Sequence, residues 1–301
     1  MIGQSVAPDR LRRRPAGLLS RGVRQRLYIG FGAALLLMFS LGPFLWLADA
    51  SVTPELKADF AHPYLSTRTV VYFPEHPTIG NYIQLFQQVP FAMYCRNSTI
   101  IATGNMLLTL VAASLGAYGL ARFRFAGRDS FLFGMLVTYT VPSVVLLVPL
   151  LVIFRTYGLN NTHIGMVLAE ATRTAPFALL LLINYFATLP KELEEAAAID
   201  GCGRMRTLWA IILPLSLPGL MASGLLAFIS TWNDFLFAYL FTATPDVMTL
   251  PVIMRQFALG EPAVWGVSAA GALLSTLPVA LLFLLFQRML ISGLAAGAVK
   301  G

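Results

Sequence analysis

Long runs without a single charged residue constrain this chain more than any other feature. Leu27 to Ala48, Asn97 to Ala121, Ser130 to Phe154, Thr207 to Asn233 and Pro262 to Gln287 contain no Asp, Glu, Lys or Arg. A helix needs about 20 apolar residues to cross the hydrocarbon core of a bilayer, and each run is long enough. A further run, Ile164 to Ala187, is interrupted by Glu170 and Arg173 but is uncharged from Ala175 to Phe186. The expected fold is therefore an all-α integral membrane protein with six transmembrane helices in a single domain over 1–301. The spans fall at about 27–48, 97–121, 130–154, 164–187, 214–240 and 263–287. Composition agrees: 57% of residues are hydrophobic and 12% charged, against about 45–50% and about 25% in a soluble domain.

Basic residues set the direction, because cytoplasmic loops carry the excess of Lys and Arg. With the N-terminus inside, 15 of the 21 basic residues fall in inner segments. These are Arg10, Arg12, Arg13, Arg14, Arg21, Arg24 and Arg26, then Arg122, Arg124 and Arg128, then Lys191, Arg204 and Arg206, and finally Arg288 and Lys300. Both termini are then cytoplasmic, and the outer segments are approximately 49–95, 155–163 and 241–264. A signal peptide has an apolar region of about 7–15 residues. The first run has 22, so it is expected to remain as a span despite the Ala48-Asp49-Ala50 sequence that follows.

The net charge of +7 is spread between apolar runs rather than gathered on one surface, which gives no nucleic-acid footprint. Cys95 and Cys202 fall on opposite sides of the bilayer and cannot form a disulfide or a CxxC metal site. His62, His76 and His163 lie apart from one another, so no metal site and no catalytic centre is expected.

The third inner segment, Pro190 to Pro214, is the most informative. Proline at a first helical turn, acidic residues beside the positive helix end, three alanines and a glycine stop describe a short surface helix up to Gly201. A second short helix should run from about Met205 to Pro214. Two readings stand on composition. The segment is an ordinary helical hairpin whose alanines reflect helix propensity, or its small residues form a knob for a partner's cleft, with Glu195 offering a carboxylate.

Glu195-Ala196-Ala197, three residues, Gly201, nine residues, then Ile211, one residue and Leu213-Pro214 resembles the EAA loop of the membrane subunits of binding-protein-dependent ABC importers. The resemblance extends over most of the chain and narrows to the sugar-importer group, close to the smaller maltose permease subunit. Asn97-Ser98, Ala117-Tyr118 with Ala121-Arg122-Phe123, Gly127-Arg128, Ile199-Asp200-Gly201 and Trp232-Asn233 all sit where that group has similar residues. Asp234 stands where glutamate is commoner, and Cys202 where a small residue is usual.

The resemblance implies the type I importer permease fold with a cytoplasmic coupling-helix loop over 190–214. Glu195, Ala196, Ala197, Asp200, Gly201, Leu213 and Pro214 carry that loop, with Glu195 as salt-bridge partner of an ATPase arginine and Gly201 as the turn. It implies a bacterial inner-membrane location and a second, related permease in a heterodimer. It also implies an extracytoplasmic sugar-binding protein and two cytoplasmic ABC ATPases that bind ATP and Mg, with no cofactor in this chain. The glycine- and alanine-rich tail, Ile291 to Gly301, is similar to one that reaches between the ATPases, or is a frayed end.

Other residues keep two readings. Glu170 and Arg173 are spaced to meet on one helix face, as a structural lock or as part of a substrate path. Asn233 and Asp234 either line the path or satisfy backbone at a helix distortion. Pro142, Pro149 and Pro278 are expected to kink spans three and six. The segment from Phe241 to Trp265 is longer than a plain connection and too apolar to stand free in water. It packs back on its own helices, or Leu250, Pro251, Val252 and Ile253 contact the binding protein.

The chain cannot be the ATPase itself. A Walker A loop places glycine immediately before lysine, whereas Lys57, Lys191 and Lys300 follow Leu56, Pro190 and Val299. A permease of the same type for a non-sugar solute such as glycerol phosphate is the nearest alternative. A secondary transporter should show repeated halves or unwound ion-binding spans, and a membrane enzyme needs a nucleophile and base or a metal cluster at membrane depth. The sequence displays neither.

Overall fold

The computed structural model describes residues 21–54, 74, 76–259 and 265–298. Arg10, Arg12, Arg13, Arg14, Lys57, Pro63, Arg68, Gly260, Pro262 and Lys300 lie outside these residues. Contact density divides the chain into two units, residues 1–46 and 47–301. The first unit holds most of α1 (Arg21–Val52), whose stretch Tyr28–Val52 is long and apolar enough to cross a membrane.

The second unit contains α2 (Gly80–Gln88), α3 (Phe91–Arg122), α4 (Arg128–Thr140), α5 (Ser143–Thr156), α6 (His163–Thr188) and α7 (Glu192–Ile199). After these come α8 (Arg204–Thr207), a π-helical turn at Leu208–Ile212, and α9 (Leu213–Leu215). The chain continues through α10 (Leu217–Trp232), α11 (Leu236–Phe241), α12 (Leu250–Leu259) and α13 (Trp265–Ala298). Among the described residues four helices are long and apolar enough to span a membrane, or six if each of two bent pairs is one span.

The bent pairs differ from the uninterrupted third and fifth runs that hydropathy suggests. α4 and α5 meet at 100°, because Pro142 lacks an N–H and disfavours helical geometry at Val141, whose ψ is 127°. Pro149 and Pro278 sit inside continuous helices. The stretch Arg204–Leu215 meets α10 at 81°, with Ser216 at the break and Pro218 just beyond it. α10 then ends at Trp232, and residues 233–235 separate it from α11.

α3 and α6 form the centre of this unit, with α10 against both. The close approach depends on small residues, as is usual where helices pack in lipid. A Cβ on Gly104 would stand 2.9 Å from Val167 Cγ2, and one on Gly116 2.8 Å from Leu179 Cδ1. Tyr118, Leu182, Phe186, Leu208 and Ile212 make one buried cluster at the Arg122 end of α3, and Phe91, Tyr94, Trp232, Leu250 and Val267 make another at the Phe91 end. Hydrogen bonds from Asn81 Nδ2 to the carbonyls of Ser51 (3.0 Å) and Thr53 (2.8 Å) tie α2 to the last turn of α1.

Candidate functional site

Three polar arrangements stand out in the second unit, one at each end of α3 and one in its middle. At the Arg122 end, α7 begins after Pro190, with Lys191 as N-cap and Glu192, Glu194 and Glu195 in its first turn. Carboxylates there face the positive end of the helix. Pro190 precedes the cap rather than entering the first turn, because Lys191 occupies the cap position.

The helix is closed by a Schellman turn: Gly201 N–H donates to Ala198 O (3.1 Å) and Cys202 N–H to Ala197 O (2.8 Å). Gly201 has φ +79°, which explains a residue without Cβ at this position. Asp200 is the exposed C-cap.

One side of α7 is fixed to α3. Glu194 pairs with Arg122 Nε at 2.5 Å and accepts a hydrogen bond from Tyr118 OH at 3.2 Å. Arg122 Nη2 also donates to Leu189 O at 3.1 Å, and the arginine side chain is only 6% exposed. Ala197, one turn after Glu194, is buried on the same side. The second arm of the hairpin is held too, since the Arg204 guanidinium lies 4.3 Å over the Phe123 ring, which meets Tyr118 edge-on at 5.9 Å. Glu195, Ala196 and Ile199 are exposed, and Ile199 is 87% so. Leu213 packs on the buried cluster beneath, while Pro214 is exposed.

In the middle of α3, Glu170 of α6 is 0% exposed and pairs with Arg173 Nη2 at 2.5 Å. Arg173 Nη1 donates to Ser230 Oγ (2.6 Å) and Nη2 to Ser230 O (3.2 Å), and Thr231 Oγ1 donates to Glu170 Oε2 (3.1 Å). Asn105 Nδ2 donates to Thr231 Oγ1 (2.7 Å), while Asn105 Oδ1 accepts from Thr109 and Thr174, each at 3.1 Å. Glu170 and Arg173 thus belong to a network joining α3, α6 and α10. Asp234 stands at its edge, 3.9 Å from Arg173. Its Oδ2 accepts the N–H groups of Phe237 (2.8 Å) and Ala238 (3.3 Å), the backbone donors freed where α11 begins. Asn233 is exposed and its Nδ2 donates to Ile229 O at 3.0 Å.

At the Phe91 end of α3, the segment after α11 folds onto its own chain. Asn97 Nδ2 donates to the carbonyls of Pro245 (3.1 Å) and Met248 (3.0 Å), and Leu250 N–H donates to Ser98 Oγ at 2.8 Å. Leu250, Val252 and Ile253 are 1%, 2% and 5% exposed, and Pro251 is half-buried. Within this chain the segment packs back on its own helices. The side chains of Leu250 and Ile253 join the cluster around Phe91 and that of Val252 the cluster around Phe237, where burial removes them from water. The exposed residues of this segment include Ala243, Thr244, Pro245, Asp246, Arg255 and Gln256.

Residues 106–295 match the family described as "Binding-protein-dependent transport system inner membrane component". The chain belongs to this family. It is 36% identical over 270 residues to the sulfoquinovosyl glycerol transport system permease protein SmoH of Agrobacterium fabrum, covering 89% of this chain and 92% of that one. It is also 36% identical over 282 residues to the trehalose/maltose transport system permease protein MalG of Thermococcus litoralis, covering 93% and 98%. Among solved structures, a bacterial ABC transporter involved in import of the acidic polysaccharide alginate has a chain that matches with TM-score 0.74. That match has 22% identity and covers 90% of this chain and 98% of the other, so it speaks for the fold alone. The fold is that of a type I ABC importer permease, a transport component of the inner membrane.

Within this permease, residue patterns did not single out Tyr118, Arg122, Glu194 and Arg204 as a clamp. The adjacent acidic pair Glu194-Glu195 is visible in the sequence, but only the rotation of α7 shows which carboxylate faces α3. Asn105 and Thr109, and Glu170 and Thr174, are polar residues four apart within apolar runs. That spacing was a usable sign of a buried network.

Proposed function

We propose that the chain is a permease subunit of an ATP-driven ABC importer for a carbohydrate, forming half of an alternating-access path. The observation that carries this is α7, a short helix held rigidly by Glu194 and Ala197 on one side while Glu195, Ala196 and Ile199 stand exposed on the other. A small-residue knob bearing one carboxylate suits a cleft with a basic group on a soluble ATPase. The carbohydrate class is supported by the solutes named for SmoH and MalG. ATP and Mg are then bound by two ATPase partners, this chain performs no chemistry, and a second, related permease completes the path. A binding protein delivers the sugar on the outer side, and both termini and α7 lie in the cytoplasm. Glu170, Arg173 and Asp234 act as a lock between helices rather than as sugar contacts, since Glu170 has no exposed surface.

Reconstitution tests the function. Liposomes containing the permease pair and its ATPase should accumulate sugar only with ATP inside and loaded binding protein outside. Uptake driven by an ion gradient without ATP would overturn the proposal in favour of a secondary transporter.

Orientation is tested by single cysteines at exposed positions in intact cells. His76→Cys and Asp246→Cys should react with an impermeant maleimide, and Ala126→Cys should react only after lysis. The reverse pattern would invert the topology.

A further inference from the structure

We propose that α3 is the rod through which movement of α7 reaches the outer segment, with Glu194 and Arg122 as positioning residues at one end and Asn97 and Ser98 at the other. This deepens the proposed function and rests on its assignment of α7 to an ATPase. α3 runs from Phe91 to Arg122 as one helix without proline. At 1.5 Å per residue it is about 48 Å long, enough to cross a bilayer with both ends projecting.

Each end grips a different functional element by its polar groups. At one end, Arg122 and Tyr118 hold the Glu194 carboxylate while Phe123, the residue after the helix, carries Arg204 of the second arm. The hairpin is thus fixed to the tip of α3 from both of its arms. At the other end, Asn97 donates to the carbonyls of Pro245 and Met248, and Ser98 accepts from Leu250 N–H. These bonds fix the start of α12 and the exposed turn at Thr244 to Asp246.

The Glu194 contact is suited to transmission because it is an ion pair with one nearly buried partner. Removing either member leaves the other uncompensated, so α7 cannot shift without pulling on Arg122. Glu195 differs: it is exposed and is not part of the Arg122–Tyr118 clamp, so it can bind a partner without loosening that clamp. Two neighbouring carboxylates would divide the work, Glu195 receiving the push and Glu194 passing it on. Distance alone does not make two sites coupled, and an element that both ends bias is required. A continuous helix clamped at both tips is the connection proposed for that element, and its second arrangement is what a shift at position 246 would read.

The test uses the complete transporter in nanodiscs with a fluorophore on Asp246→Cys and a photo-crosslinker at Ile199. In the otherwise unaltered complex, a non-hydrolysable ATP analogue should shift the signal at position 246, and position 199 should crosslink to the ATPase. Glu194→Arg and Arg122→Glu should each cut the ratio of stimulated to basal ATP hydrolysis by about ten-fold or more, as expected when one member of a desolvated pair is lost. Both should abolish the shift at 246 while the crosslink at 199 persists. The exchange Glu194→Arg with Arg122→Glu should restore the shift, which a merely disruptive effect of the single variants would not permit. Asn97→Ala should abolish the shift from the far end with α7 untouched. If a single variant fails to assemble, Glu194→Gln and Asn97→Ala carry the same test. A shift that survives Glu194→Arg or Asn97→Ala, or that is absent from the unaltered complex, overturns the rod. Loss of the crosslink in the unaltered complex instead overturns the assignment of α7.

Discussion

Arg173→Ala is expected to destabilise the subunit by about 3–5 kcal/mol, the usual cost of leaving one member of a buried ion pair uncompensated. Glu170 has no exposed surface and loses its cationic partner in this variant. Thr231 remains as a single neutral donor to Oε2. The effect should spread, because Arg173 also binds the hydroxyl and carbonyl of Ser230 and so holds α10 against α6. Heating in detergent should show a clear fall in the temperature at which the subunit precipitates. The double variant Glu170→Gln with Arg173→Gln should recover most of the loss, since replacing both charges removes the desolvation cost with the attraction. A stable Arg173→Ala would mean that the pair is not a lock, and a double variant as weak as the single one would mean that charge is not the cause.

Glu195→Arg is expected to have the largest effect on transport with little effect on folding. The side chain is exposed and outside the clamp that Glu194 makes with Arg122, so reversing its charge costs the isolated subunit little. At a desolvated interface the same change sets two like charges together, and loss of one member of such a pair alone costs about 2–5 kcal/mol, or 30-fold and more in affinity. Gly201→Asp should act by another route. Its φ of +79° strains any residue with a Cβ, so the Schellman turn opens and α7 loses its stop. Co-purification of the ATPase should fall steeply in Glu195→Arg, and hydrolysis should become independent of binding protein in Gly201→Asp. Transport at the normal rate in both would remove α7 from the coupling path.

The spans and the loop were legible because they rest on local rules. An uncharged run of this length has few alternatives to a membrane helix, and Pro190, the glutamates and Gly201 mark a short helix by capping chemistry alone. Helix ends were less so: α3 starts at Phe91, six residues before its uncharged run, because Arg96 does not prevent a helix from projecting beyond the bilayer. The right angle at Pro142 was foreshadowed by the proline, but its size depends on what α4 and α5 pack against. The segment after α11 kept two readings because hydropathy reports that Leu250, Val252 and Ile253 need cover without saying what provides it. Phe91, Tyr94 and Val267 share the cluster of Leu250 and Ile253, and Ile101 and Phe237 that of Val252, while Asn97 and Ser98, more than 150 positions away, hold the backbone at Met248 and Leu250, pairings that periodicity cannot reveal. The Glu194 clamp was hidden for the same reason: two identical side chains stand side by side, and tertiary packing decides which one turns inward.

Photo-crosslinking from Ile199 in native membranes tests the account most directly, because this side chain is 87% exposed on the face of α7 assigned to the ATPase. The account predicts one dominant product, joining this chain to an ABC ATPase and lost in Glu195→Arg. Crosslinking to lipid alone, with no ATPase retained when the chain is purified, would contradict it.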